Sequence, residues 1–234
     1  MTSWEESNSW YDSIVGEKGH YYHQTVIFPN ALRMLKLNAK TSLLDIGCGN
    51  GVLQKHLPKG VEYTGLDIAK REHLIQADAT KPLPIEKKDF DIACFILSLQ
   101  NMDPGQDAIK HAAQHLKPRG KMLLVLNHPC FRIPRQSAWG VDEQAKLQYR
   151  RINRYLSPLK IPIQTHPSKQ SSETTWSFHH PLSTYVHWLK TNGLIVQDLE
   201  EWRSDKQSVG KWAKMEDRAR EEFPLFLAVL GEKK

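Results

Sequence analysis

Three glycines at alternate positions, Gly47, Gly49 and Gly51, follow directly on the apolar run 43–46, and Asp67 lies 16 residues beyond the last of them. Glycine lets a backbone turn sharply and come closer to a ligand than a Cβ would permit, so the loop can cradle a nucleoside. An acidic side chain at the tip of the next strand is placed to reach ribose hydroxyls. A dinucleotide site needs a third glycine one residue later and no acid before the first, whereas here Asp45 precedes Gly47. An anionic Asp45 under the loop suits a ligand carrying positive charge. Five histidines, His20, His23, His128, His179 and His180, can take up a proton near neutral pH.

These residues need a frame, and strand and helix signals alternate along the chain in the manner of an α/β sheet covered on both faces. Strands are expected near 43–47, 62–67, 74–78, 91–97, 121–127, 195–201 and 224–230. A helix is expected to open at Asp103-Pro104 and to present Ile109, Ala112, Ala113 and Leu116 on one face; His111 and His115 fall off that face and read as surface residues. Another opens at His180-Pro181, buries Leu182, Tyr185, Val186 and Leu189, and stops at Asn192-Gly193.

The length of 234 residues favours one domain, 1–234. Two segments lie outside its core. Residues 1–40 are rich in aromatic and histidine side chains, among them Trp10, Tyr11, Tyr21 and Tyr22, and read as a lid with glycine hinges at Gly16 and Gly19. Residues 128–180 interrupt the sheet after its fifth strand, face the ligand edge of an open sheet, and are expected to be helical near 142–155.

The net charge of +6 is concentrated in that second segment. Between 131 and 170, eight basic residues (Arg132, Arg135, Lys146, Arg150, Arg151, Arg154, Lys160, Lys169) face two acids, Asp142 and Glu143, which leaves the rest of the chain neutral overall. Such a stretch draws anions, whether a small acid or a nucleic-acid backbone. The three cysteines show no C-x-x-C pair, and Cys130 reads as a buried thiol, so neither a zinc site nor a disulfide framework is indicated. No metal is expected. No apolar run is long enough to span a bilayer and no signal stretch is evident, so a cytoplasmic protein is expected.

The segment 43–51, Leu-Leu-Asp-Ile-Gly-Cys-Gly-Asn-Gly, resembles motif I of class I S-adenosylmethionine-dependent methyltransferases. The resemblance implies a Rossmann-like seven-stranded sheet of order 3-2-1-4-5-7-6, with strand 7 antiparallel and helices on both faces. It implies S-adenosylmethionine as cofactor, held by Asp45, Gly47, Cys48, Gly49 and Gly51, by Asp67 on the ribose and by Ile68 on the adenine face. Asp78 and Ala79 would take the adenine amino group and ring, and Leu97 and Ser98 the methionine portion, with Tyr22 completing the pocket. Further segments, including 19–23, 127–140 and 179–185, resemble bacterial small-molecule methyltransferases of the type 11 group, which includes quinone-biosynthesis enzymes.

That resemblance implies O- or C-methylation of a small molecule, and the basic stretch 131–170 points to an anionic acceptor. His128, which follows the fifth strand, leads the base candidates with His20 and His23, and Arg132, Arg135, His179 and His180 would touch the acceptor. The alternatives are an RNA methyltransferase using 131–170 as its phosphate-binding surface, and an inactive cofactor-binding interaction protein. Acceptor identity and oligomeric state are open at this point.

Overall fold

The run Ser42–Ile46 is buried at every position, as a strand covered on both faces must be, and it forms β1 at the centre of the sheet. The computed structural model describes residues 19–164 and 174–234. Ahead of β1 stand a π-helical turn, His23–Ile27, and α1, Phe28–Leu35. A short 3-10 turn, Val52–His56, leads to β2 (Glu62–Asp67), β3 (Ile75–Gln76) and β4 (Phe90–Ile96). Then come α2 (Gly105–Gln114), β5 (Leu116–Asn127), β6 (Ser137–Asp142), β7 (Leu147–Ile152), β8 (Leu159–Gln164) and β9 (Thr174–His179). The chain closes with α3 (Leu182–Thr191), β10 (Leu194–Trp202), α4 (Ala213–Glu222) and β11 (Phe226–Lys233).

Seven strands make the main sheet in the order β10-β11-β5-β4-β1-β2-β3. Only β11 runs antiparallel to its neighbours, β5 and β10. This is the expected order 3-2-1-4-5-7-6 read from the other edge, with β10 and β11 as strands 6 and 7. The last two strands are joined through α4 and not by a tight hairpin.

Alternating side chains divide the core between the two faces. Leu44, Ile46, Phe95, Leu124 and Leu227 pack with Ile109 of α2 and Leu189 of α3, while Leu43, Cys94, Leu123, Val125 and Ala228 pack with Ile27, Phe28 and Met34. The described part of the 1–40 segment is therefore built into the core on one face of the sheet. Its aromatic start, Trp10 and Tyr11 included, and the glycine at 16 lie outside the described residues.

Three expectations are corrected. The segment 142–155 is not helical: β6 and β7 form an antiparallel hairpin with Trp139 opposite Arg150 and Val141 opposite Gln148. Asp142 accepts from the Ala145 amide at 2.9 Å, as a helix cap would, but Lys146 then turns left-handed at φ 51° and the chain reverses. A second antiparallel pair, β8 with β9, also lies within the 128–180 insertion. The helix expected from Asp103-Pro104 begins at Gly105, because Pro104 is extended at ψ 126°, and Leu116 belongs to β5. His111 and His115 are buried, their Nδ1 atoms against the carbonyls of Ala79 at 3.4 Å and Lys87 at 2.6 Å. A carbonyl partner makes a neutral imidazole acceptable inside the protein. Among the described residues, no helix is long and apolar enough to cross a membrane.

Candidate functional site

The loop after β1 lies at the carboxyl edge of the parallel strands, where open sheets bind ligands. Its three glycines hold positive φ values of 69°, 59° and 70°. Gly47 is tighter than Gly51, where a Cβ would meet nothing closer than 3.6 Å. A Cβ at Gly47 would stand 2.6 Å from Ser98 Cβ and 2.8 Å from Met102 Cε. Ser98, just past β4, donates from Oγ to the Ile46 carbonyl at 2.5 Å, which draws the two loops together. Leu97, beside it, is itself left-handed at φ 55°.

Asp67, at the end of β2, clamps this loop: Oδ2 accepts from the Gly49 amide at 2.9 Å and Oδ1 from Ala69 at 3.0 Å. Burial raises its pKa, opposed by those amides. A carboxylate has further lone pairs, so the clamp leaves acceptor capacity. Asp78 is exposed, and its Oδ1 accepts from both the amide (2.9 Å) and the hydroxyl (2.7 Å) of Thr80. Ala79 is buried behind it, and Ile68 lies partly buried beside Asp67.

Asp45 is only 2% exposed. Tyr63 donates its hydroxyl to Oδ2 at 2.9 Å and the Cys94 thiol lies 3.6 Å from Oδ1. Burial pushes Asp45 up to about 7. The same burial, joined by Asp45, raises the Cys48 thiol. Asp45, Gly47, Cys48, Ile96, Phe28 and His23 wall a cavity of about 30 Å³.

Of the three candidate bases, His23 alone faces this cavity. Its ring stacks on Phe28 at 5.3 Å and its Nδ1 accepts the amide of His20 at 3.2 Å, which puts the proton on Nε2. Burial, then His20 and His56, lower it to about 4, so it is neutral at pH 7. His20 is exposed. Tyr22 places its hydroxyl 3.0 Å from Ser204 Oγ and its ring edge-on to Phe226 at 5.7 Å.

His128 is 1% exposed, and both of its ring nitrogens are engaged within the chain. Nδ1 accepts from the Cys130 amide at 3.2 Å, so the proton sits on Nε2 and is donated to Glu201 at 2.7 Å. Burial lowers its pKa and Glu201 opposes that shift. Arg132, one turn on, lays its guanidinium 5.2 Å from the centre of the Phe226 ring and reaches the Leu225 carbonyl at 3.4 Å. Among the described residues it makes no ion pair. Arg135 is exposed.

His179 and His180 cap the other side of the insertion. His179 Nε2 pairs with the Tyr155 carbonyl at 2.7 Å, and His180 lies against Trp188 at 4.7 Å. Cys130 is partly buried, its thiol neighbouring the Tyr155 hydroxyl.

The structure thus gathers two groups along one sheet edge: Asp45, Asp67, the glycines, Ser98 and His23 over β1, β2 and β4; and His128, Arg132 and Tyr22 over β5, β11 and β10. Sequence reasoning missed Tyr63, Cys94, Glu201 and Phe226, because each acts through a partner far along the chain. A larger cavity of about 480 Å³ is lined by Thr25, Asn30, Glu201, Ser204, Lys206 and Arg220, among others. The glycine loop and Asp45 border the smaller cavity and not this one.

A family model described as a methyltransferase domain matches residues 19–199. Over 113 residues the chain is 29% identical to demethylmenaquinone methyltransferase of Tropheryma whipplei, covering 42% of this chain and 47% of that protein. Over 109 residues it is 30% identical to 27-O-demethylrifamycin SV methyltransferase of Amycolatopsis mediterranei, covering 39% and 40%. The chain spans half or less of the length of these curated relatives. Among solved structures, an S-adenosylmethionine-dependent methyltransferase from Mesorhizobium loti shares the fold with a TM-score of 0.63 at 23% identity, covering 87% of this chain and 96% of that one. One from Clostridium acetobutylicum has a TM-score of 0.56 at 16% identity, covering 97% and 98%.

Proposed function

We propose, for a chain that belongs to the methyltransferase domain family, that it transfers a methyl group from S-adenosylmethionine to a small anionic molecule, by O- or C-methylation. One observation carries the cofactor reading: a turn of three left-handed glycines after β1, held by the Asp67 carboxylate through the Gly49 amide and lying over the buried Asp45. When bound there, S-adenosylmethionine supplies an electrophilic methyl group on a sulfonium. The residues then divide the work of holding it. Asp67 would accept ribose hydroxyls with its remaining lone pairs, Asp78 the adenine amino group, and Ala79 and Ile68 would pack on the ring. Asp45, Gly47, Cys48, Leu97 and Ser98 would line the methionine portion. His23 and Phe28 exclude water above it, which strengthens electrostatics at the reacting centre.

The acceptor side rests on Arg132. A partly buried guanidinium on an aromatic face, with no carboxylate partner among the described residues, is suited to an anion at the carboxyl edge of β5. His128 and His23 each use their one accepting nitrogen, Nδ1, within the chain. The acceptor is therefore taken to react as its own anion, aligned by Arg132, with His128 holding the loop. The names of the two curated relatives, for demethylmenaquinone and 27-O-demethylrifamycin SV, support a small acceptor.

The test is calorimetric binding of S-adenosylmethionine and S-adenosylhomocysteine, followed by methyl transfer to a panel of phenolic and carboxylic acids. Transfer that requires Arg132 is expected. An RNA acceptor draws on the exposed Arg151 and Arg154 of the insertion; submicromolar, structure-selective RNA binding at physiological salt would replace the small acceptor with that reading.

A further inference from the structure

Arg150 of β7 sits opposite Trp139 of β6, and the alternation of the strand turns it away from its exposed neighbours Tyr149 and Arg151. Three contacts fix its guanidinium: Nε donates to the Phe131 carbonyl at 2.7 Å, Nη2 donates to Ser137 Oγ at 3.0 Å, and Cζ lies 5.0 Å from the centre of the Trp139 ring. Phe131 immediately precedes Arg132, so the peptide group that Arg150 grips is the one that carries Arg132. The Arg132 guanidinium in turn lies on Phe226 and reaches the Leu225 carbonyl. Phe223 stands edge-on to both Phe131 and Trp139, at 5.5 and 5.4 Å, and joins the two seats. Among the described residues neither guanidinium meets a carboxylate, and Arg150 acts on Arg132 as a like charge.

Carbonyls, a hydroxyl and ring faces orient a guanidinium but do not cancel its charge. Two such cations fixed on one loop, each with donors to spare, favour an oxyanion that lies between them, and a second negative charge on that ligand finds a second partner. Both side chains are anchored within the chain, so little rotamer freedom is lost on binding. We propose that Arg150 is the second anion-binding residue of the acceptor site, and that the acceptor carries two negative charges close together, as a phosphate monoester or a pair of adjacent carboxylates does. The inference rests on the assignment of Arg132 to the acceptor above. It makes the β6–β7 hairpin, which adds no strand to the main sheet, the element that selects the acceptor, and it leaves the exposed Arg151 and Arg154 outside the site.

The experiment is titration calorimetry of the whole protein with three single-ring probes, benzoate, phthalate and phenyl phosphate. The wild type should bind one of the two dianions about tenfold or more tightly than benzoate, phenyl phosphate if the acceptor is a phosphate ester and phthalate if it is a dicarboxylate. Arg150→Gln should cut that preference to less than about threefold, and Arg150→Lys, which keeps the charge without the planar fork, should retain part of it. A purely structural Arg150 would weaken all three probes alike and leave their ratios as they were. Equal affinity of the wild type for the three probes, binding of none of them, or a preference that survives Arg150→Gln overturns the inference. If benzoate binds and Arg132→Gln abolishes that binding, the reading of a small anionic acceptor stands without the second charge; if Arg132→Gln alters no probe, that reading falls too. If Arg150→Gln does not fold, the wild-type ratios and Arg150→Lys decide the matter.

Discussion

His128 Nε2 stands 2.7 Å from Glu201 Oε1, and this bond ties the exit of β5 to the end of β10 across 73 residues of sequence. The histidine is 1% exposed and the glutamate side chain 51%. The same histidine accepts the Cys130 amide, and its carbonyl accepts Arg132 N at 2.7 Å, so one ring and one carboxylate orient the loop that carries Arg132. Glu201→Ala strands a buried N–H and should cost about 1–3 kcal/mol. Glu201→Gln keeps a carbonyl acceptor and should cost less than half as much. Thermal melts of both variants check this, and equal losses would contradict the assigned role of the bond.

Gly47 and Gly193 both hold positive φ, at 69° and 77°, in opposite surroundings. Alanine at 193 meets nothing within 4 Å, whereas alanine at 47 meets Ser98 and Met102 below 3 Å. Gly193→Ala should cost about 1 kcal/mol of left-handed strain, and Gly47→Ala several kcal/mol, since overpacking adds to that strain. Urea midpoints give the comparison. Gly47→Ala should also weaken S-adenosylhomocysteine binding, and Gly193→Ala should not.

Asp67→Ala removes both the clamp on the Gly49 amide and the charge-assisted bonds proposed to ribose hydroxyls. Binding of S-adenosylmethionine should weaken by about 1.5–3 kcal/mol, more than tenfold. Calorimetry with unchanged affinity would remove Asp67 from the site.

The pH dependence of stability contains two opposed contributions. Asp45 rises from 3.8 to about 7 on folding, so the folded chain binds its proton more tightly and stability declines as pH climbs between those values. His23 drops from 6.5 to about 4, so the folded chain binds its proton more weakly and stability declines as pH falls below 6.5. Each contributes at most about 1.4 kcal/mol per pH unit. They offset between pH 4 and 6.5. Asp45→Asn removes one of them, and its denaturant midpoint should fall more steeply on acidification than that of the wild type. Parallel curves would place the acid response elsewhere.

What the sequence by itself determined is what depends on neighbours in the chain. Short apolar runs alternating with helix signals placed all seven main-sheet strands, three alternate glycines marked the turn after β1, and Asn192-Gly193 marked the end of α3. The spacing of Asp67 was legible for the same reason, since one strand and one turn connect it to Gly51. Backbone geometry and side-chain periodicity are local properties.

Tertiary structure decided the rest. The helical reading of 142–155 failed at Lys146, where a left-handed residue reversed a turn that Asp142 had opened as a cap would. His111 and His115 look like surface residues beside the apolar face of α2, yet loops from residues 79 and 87 cover them. Asp45 reads as a ligand-facing anion, but Tyr63 and Cys94, 18 and 49 residues away, hold it in a buried pocket that raises its pKa. His128 reads as a free base until Glu201 arrives from another strand. Burial and long-range pairing set protonation, and neither is written in the spacing of residues along the chain.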